Sequence, residues 1–398
     1  MFRSVFVVFL VSFCVALGET FEEVLNESLK NSYLVKQKLY QVKALEGNIF
    51  SAKALNNPEI SIEFGRLYSQ TDSGVALTAL SIQQQLRLWG ERKYAKEAAV
   101  LQKKSSEFMF KSFINSFSGE IYKKFYEGLY KKELIKAKKQ ELELLKQLYS
   151  FLKKSYKLGE SVLLDILQVE KDIQIVSVQL ENLKAQYKKS LQEISVYTGR
   201  KVEDIQGDFY LLKDIKDTDM QKLPSLVLLD YMEQSLEKQI KRQKALSKPQ
   251  ISLGLTAEED PVDLGKYEFG VSLSSTIPVF YKRQGEILSL VYQKKAVLSQ
   301  KKQVFLETQA KVQSLKNQYQ VFKNQIQKIK TETLKKIEKA LKLAEESYKL
   351  GAISFFEYSS VRKQYFETLV FKNQLVNQAH QIYGDYLKIV GIKEGGLK

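Results

Sequence analysis

The chain has 398 residues, and 62 Lys+Arg against 46 Asp+Glu give it a formal net charge of +16. The lysines are spread between glutamates and glutamines along helical stretches, the pattern of solvated helix faces, which argues against a nucleic-acid partner. Five prolines and few glycines favour long uninterrupted helices.

The first element is an export signal. Arg3 precedes the apolar run VFVVFLVSFCVAL (5–17), which ends in the small-x-small pattern Ala16-Leu17-Gly18. Cleavage is expected after Gly18. The alternative, an uncleaved anchor, meets a run shorter than the roughly 20 residues a spanning helix needs. The only cysteine, Cys14, lies inside this segment, so the mature chain has no thiol for disulfides, metal sites or catalysis. Phe13 stands where a lipoprotein signal needs a small residue, and no lipid anchor is expected. Beyond residue 18 no apolar run has the length of a membrane-crossing helix, so any crossing must use strands.

A duplication organises the rest. SYKLG at 155–159 returns at 347–351. Upstream, NPEISIEFG (57–65) matches KPQISLGLT (248–256), and LSIQQQLRLWGER (80–92) matches VSLSSTIPVFYKR (271–283). A nearly fixed offset across ordered blocks marks a repeated architecture. The expected division is a signal at 1–18, a first repeat at 19–199, a linker at 200–223, a second repeat at 224–391 and a tail at 392–398.

Each repeat reads as helix, strand pair, very long helix, tight turn and returning helix. Ile60, Ile62 and Phe64 alternate with Ser61, Glu63 and Gly65. Phe269, Val271, Leu273 and Ile277 alternate in the second copy with Gly270, Ser272, Ser274 and Thr276. Period two means strands with one apolar and one polar face. Four are expected, at 58–68, 76–87, 250–258 and 266–277, with turns at 69–74 and 259–265. The proline-free stretch from Glu91 to Lys157 would make a rod of roughly 100 Å at about 1.5 Å per residue. The returning helix carries a seam of Ile166, Val169, Ile173, Val176, Leu180, Leu183, Tyr187 and Ile194. The second copy offers Val361, Tyr365, Thr368, Lys372, Leu375, Ala379, Ile382, Tyr386 and Ile389, weakened at Thr368 and Lys372. SYKLG is then a hairpin reversal. Its glycine takes the left-handed cap conformation, and Leu158 and Leu350 can pack back over the last turn.

Four strands of about ten residues are long enough to cross an outer membrane. They cannot close a barrel, because transmembrane barrels begin at about eight strands and open edges in lipid are costly. If these strands lie in lipid, copies of the chain must therefore share one barrel. A dimer gives eight strands with a filled interior, and a trimer gives twelve with room for a bore.

The order and spacing of NPEISIEFG (57–65), QQLRLWGERK (84–93), KPQISLGL (248–255), IPVFYKRQGEI (277–287), YKLGESVLLDILQVE (156–170) and YKLGAISFFEYSSVR (348–362) resemble the TolC-like outer-membrane efflux proteins, over nearly all of the mature chain. LRLWGERK looks most like the metal-cation resistance branch. The resemblance implies a mainly α chain with a transmembrane β-barrel: a homotrimer with a 12-stranded barrel and a long α-helical barrel reaching into the periplasm. It implies an exit duct in outer-membrane lipid, working with a periplasmic adaptor (membrane fusion) protein and an inner-membrane transporter. Conduction would be passive, and the helical barrel would open as the hairpins shift outward.

On this resemblance the tips Leu158, Gly159, Leu350 and Gly351 form the adaptor-docking end. Asp165 and Glu357, six residues after each tip glycine, line the periplasmic aperture. Two plainer roles compete: SFFE (354–357) is a capping-box pattern, and acids near a helix start favour the dipole. Gln168 and Ser360 replace a second acid of the family pattern. Trp89 and Phe280 end the strand pairs, where aromatics suit a membrane boundary or simple packing. The chain's basic balance points to a bore of low cation preference. His380 reads as an ordinary packed or exposed residue. No phosphate loop, Ser/His/Asp arrangement or zinc spacing appears, so no enzyme, cofactor or metal role is expected. The alternative reading is a periplasmic adaptor or another coiled-coil assembly protein of an export system.

Overall fold

A computed structural model describes residues 18–67, 75–260, 263 and 265–392. Residues 1–17 of the expected signal, the 69–74 turn, part of the 259–265 turn and most of the tail lie outside them.

Two short helices lead in, α1 (Phe21–Asn31) and α2 (Tyr33–Lys53). Thr20 opens α1 with a capping box, its side chain and that of Glu23 each satisfying the other's backbone N–H. Strands β1 (Glu59–Leu67) and β2 (Val75–Gln85) follow, then α3 (Glu91–Lys157), unbroken over 67 residues, and α4 (Leu163–Thr198). Gly199 ends α4 at φ 70°. The second half runs α5 (Pro224–Leu246), β3 (Gln250–Glu259) and β4 (Tyr267–Thr276). There α6 (Gln284–Lys328), a π turn (Ile329–Thr333) and α7 (Leu334–Lys349) stand where the first copy has one helix, and α8 (Phe355–Val390) returns. A π turn inserts a residue into an α-helix, which shifts the face the helix presents beyond it.

The four strands form one antiparallel sheet in the order β1-β2-β3-β4. The register carries the alternation across the sheet. One face holds the rows Ile60–Ile82–Leu255–Val271 and Ile62–Leu80–Ala257–Phe269. Ile60, Ile62, Leu255, Val271 and Phe269 are all more than half exposed on it. The other face holds Ser61–Ser81–Thr256–Gly270 and Glu59–Gln83–Gly254–Ser272. An apolar band this broad, turned away from any core within the chain, is what a lipid-facing sheet requires.

The described residues fold into two compact units, and each draws on both sequence copies: 18–37, 112–218 and 308–392 belong to one, 38–111 and 219–307 to the other. The sheet belongs to the second, which also buries Leu229, Leu236 and Val297 together. The first has a core behind the hairpin tips and an aromatic core in which Tyr122, Phe125 and His380 are fully buried.

The stripe that α8 buries matches the expected one only in part. Leu375, Ala379 and Tyr386 of the expected seam are buried, but Val361, Tyr365, Thr368, Lys372, Ile382 and Ile389 are only partly so, and Arg362, Phe366, Asn373, Val376, His380, Tyr383 and Leu387 beside them are buried. The buried stripe is thus wider than the expected seam, extends to the residues one position further along, and includes three polar side chains. Each has a partner: Asp172 for Arg362, Tyr210 for Asn373, and Tyr122 with the Phe209 carbonyl for His380.

Candidate functional site

Both hairpin tips use the same backbone device. Gly159 and Gly351 adopt φ 78° and 72°. The next amide reaches back five residues in each: Glu160 N–H to the Ser155 carbonyl at 2.9 Å, and Ala352 N–H to the Ser347 carbonyl at 2.8 Å. The glycine amides donate to Tyr156 and Tyr348. These paired bonds make a Schellman cap, which needs a left-handed residue at the glycine. The leucines do not pack back over the last turn as the sequence suggested. Leu158 is 72% exposed and Leu350 84%, because the cap is closed by backbone bonds and the leucines are left on the outside. Val162, Leu163, Leu164 and Phe356 are also exposed, giving both tips an apolar surface.

The tips share a core. Leu148 and Leu152 of α3, Ile166 and Val169 of α4, Leu341 and Ala344 of α7, and Phe355 and Tyr358 of α8 pack in one cluster. Tyr348 stacks on Tyr358 at 5.3 Å with the rings 4° from parallel.

Asp165 and Glu357 occupy matched positions with unlike surroundings. Asp165 is half-buried, and burial raises its pKa above the ordinary aspartate value. Its charge in turn helps burial push the Tyr348 phenol up to about 12. Glu357 is exposed and closes the capping box of α8: its carboxylate accepts from Ser354 N–H and Oγ, both at 2.8 Å. Those bonds lower its pKa, the backbone N–H most strongly. The first copy has no such cap, since Val162 takes the N-cap position of α4.

Sequence reasoning missed the group behind the tips. Arg362, 3% exposed, donates from Nη2 to Asp172 Oδ2 at 2.8 Å and to Ser359 Oγ at 3.2 Å. Its Nε and Nη1 have no acceptor among the described residues. The signal was available: a charged residue eleven positions after the tip glycine, beside the seam, opposite an aspartate in the matching helix. A hydrophobic-seam template passes over such a residue.

At the base of the sheet, the segment after β2 is clamped by ion pairs. Glu91, 3% exposed, receives Arg87 Nε and Nη2 at 2.5 and 2.9 Å and Arg242 Nε at 2.7 Å. Burial raises the Glu91 pKa, but these bonds outweigh it and leave it below the ordinary value. Arg87 Nη1 also caps α2 through the Ala52 and Ala54 carbonyls. Trp89 donates to the Pro249 carbonyl at 2.6 Å and is 46% exposed, whereas Phe280 is 98% exposed. The two aromatics therefore differ: one is hydrogen-bonded and part-packed, the other projects freely. Among the described residues no cluster of three His, Cys, Asp or Glu could hold a metal, and no helix is long and apolar enough to cross a membrane.

The fold is similar to those of solved outer-membrane channels. CusC, whose crystal structures are described for folding and transmembrane channel formation, shares 15% identity, with 93% of this chain and 92% of its own covered and a TM-score of 0.78. The CmeC outer membrane channel of Campylobacter jejuni shares 14%, over 93% and 85%, with a TM-score of 0.77. The outer membrane protein VceC of Vibrio cholerae shares 13%, over 94% and 97%, with a TM-score of 0.76. At such identities the likeness shows the fold alone. No curated protein matches the sequence. The family model described as outer membrane efflux protein matches residues 24–200 and 224–385. With a four-stranded, apolar-faced sheet and long helical hairpins already in place, the chain belongs to the outer membrane efflux protein family.

Proposed function

We propose that the protein is a trimeric exit duct of a tripartite efflux system, conducting substrates passively from an inner-membrane pump and a periplasmic adaptor to the exterior. One observation carries the trimer. The sheet ends at β1 and β4 with no partner strand beyond either among the described residues, and its apolar face is bare. Backbone groups on such edges are expensive in lipid, each costing several kcal/mol. Pairing β1 of one copy with β4 of the next removes every edge, and three copies give twelve strands around a bore lined by the polar rows. The exposed leucines and the glycines at the tips, Leu158, Gly159, Leu350 and Gly351, are assigned to adaptor docking. Asp165 and Glu357 are placed near the periplasmic aperture.

The test is purification in detergent, measurement of mass in solution, and reconstitution into planar bilayers. A trimer that forms discrete conducting events supports the duct. A monodisperse monomer that stays soluble without detergent would overturn it.

A further inference from the structure

Two non-glycine residues among those described have left-handed backbone, Trp89 at φ 57° and Arg283 at φ 58°. Both stand where a strand pair hands over to a long helix: α3 starts at Glu91 and α6 at Gln284. Such a conformation costs an L-residue about 1 kcal/mol or more, and glycine avoids the cost. The first junction places Gly90, at φ 75°, directly before its helix; the second keeps an arginine there. Strain retained at a residue points to a use for its side chain.

The surroundings identify the use. Residues 53–56, 86–93, 242–250 and 277–286 contain nine Lys or Arg and two Glu, although the strands they flank are apolar on one face. A groove of ≈ 840 Å³ opens here, lined by Arg87, Glu91, Arg242 and Arg283 with Asn56 and Gln250. Glu91 serves two guanidinium groups at once, which leaves one positive charge uncompensated. Arg242 uses only Nε on Glu91, and its side chain is 43% exposed. Arg283 bonds Gln243 through Nη1 at 3.2 Å, has Glu286 at 3.7 Å, and is 39% exposed. Beside them, Lys248 lies over the Trp89 ring at 5.1 Å. Ile277, Val279 and Phe280 are each at least 65% exposed and run from the apolar sheet face to this basic rim. Apolar and aromatic side chains meeting cations at the end of membrane strands match the acyl-to-headgroup boundary.

We infer that the mouth of this groove, formed by Arg242 and Arg283, binds the phosphate of an anionic phospholipid in the periplasm-facing leaflet, with Trp89 and Phe280 seated at the level of its glycerol backbone. Arginine suits this ligand because its planar fork presents paired donors to phosphate oxygens. The inference rests on the sheet lying in a bilayer, not on what the duct carries.

The test compares the full-length protein with Arg283→Gly and Arg283→Asn, in nanodiscs of phosphatidylcholine alone or mixed equally with phosphatidylglycerol. Native mass spectrometry reads the retained lipid. The wild type should retain phosphatidylglycerol over phosphatidylcholine by about tenfold, the order expected from one or two cations at a headgroup. Both variants should bring that ratio towards unity. Arg283→Gly should melt in phosphatidylcholine at an unchanged or higher temperature, because glycine and asparagine accept the left-handed backbone. No preference in the wild type, or an undiminished preference in the variants, would overturn the inference. So would loss of the oligomer in the variants, which would make Arg283 a subunit contact. Displacement of the bound lipid by equimolar inorganic phosphate would make this a free-anion site and also overturn it. Conductance of the wild type in phosphatidylcholine bilayers reports separately on the duct.

Discussion

His380 Nε2 lies 2.8 Å from the Phe209 carbonyl, and its Nδ1 lies 2.8 Å from the Tyr122 hydroxyl. A carbonyl can only accept, so Nε2 carries the proton and the neutral ring receives the tyrosine O–H at Nδ1. The imidazole also stacks on Tyr126 with centroids 3.8 Å apart. Burial lowers its pKa from 6.5 to about 4, against the smaller opposing effect of the Phe209 bond. Above 6.5 the ring is neutral in folded and unfolded chains alike. Between 6.5 and 4 only the unfolded chain takes up the proton, so stability falls as pH falls across that window. The full loss is about 3 kcal/mol. Thermal unfolding in detergent at pH 7.5 and pH 4.5 should show it. His380→Phe should be less stable at pH 7.5 and should lose most of the pH 7.5-to-4.5 difference; an equal acid sensitivity in the variant would remove His380 as its source.

Arg362 and Asp172 make a pair whose two halves should respond differently. Asp172→Asn leaves a buried guanidinium without its charge partner, at an expected cost of about 3 kcal/mol. Arg362→Met keeps much of the volume and also removes the two unpartnered nitrogens, so its cost should be smaller by at least about 1 kcal/mol. Denaturant melts of both variants settle the order, and the reverse ranking would show that packing of the arginine stem dominates.

At the tips, backbone and surface can be separated. A Cβ placed on Gly159 or Gly351 meets nothing within 4 Å among the described residues. Gly→Ala at either position should therefore cost only the left-handed strain, about 1 kcal/mol, visible as faster amide exchange near the tip. Leu158→Ser with Leu350→Ser should leave the melting temperature within a degree or so of wild type, since both leucines are exposed. If the tips dock an adaptor, the same double variant should weaken capture of the cognate adaptor about tenfold or more. Unchanged capture would take docking away from these residues.

The polar face of the sheet carries a charge opposite to that of the whole chain. Glu63, Ala79, Glu258 and Glu268 share one cross-strand row, and no lysine or arginine stands in that row or in the next two towards the base. Directly opposed like charges such as Glu258 and Glu268 weaken a sheet, yet the row keeps them. In the proposed trimer this face would line the bore, and its charge would favour cations, against the low cation preference suggested by overall charge. Reversal potentials in a salt gradient should show cation preference, reduced in the triple Glu63→Gln, Glu258→Gln, Glu268→Gln variant. An anion-preferring wild type would show that the helical section sets selectivity.

Processing is checked by intact mass. Cleavage after Gly18 would leave Glu19 first, the residue whose carboxylate meets Arg200 Nη1 and Nη2 at 2.7 and 2.8 Å and whose N–H meets the Asp204 carbonyl at 2.9 Å. A mature mass beginning elsewhere would correct the site.

Local chemistry made much of the molecule legible in the sequence. The alternation of Ile60, Ile62 and Phe64 with Ser61 and Glu63 determined a two-faced strand, because side chains on a strand can point only two ways. SYKLG determined a helix stop twice, because only glycine takes the left-handed cap cheaply. The duplication determined that the order of helix, strand pair and long hairpin occurs twice, although the π turn and the capping box occur only in the second copy. Tertiary structure decided which stripe of α8 is buried. The seam's Leu375, Ala379 and Tyr386 are buried, but at Val361 and Lys372 its neighbours Arg362 and Asn373 are buried more deeply, and His380 joins them, because these three find partners in Asp172, Tyr210 and Tyr122 that lie about 160 to 260 residues away. It also decided that Asp165 is half-buried while Glu357 caps a helix, and that the residue directly before the long helix is a left-handed Gly90 in one copy and a left-handed Arg283 in the other. Burial and hydrogen-bond satisfaction depend on which distant segments meet, and periodicity along one segment carries no record of that.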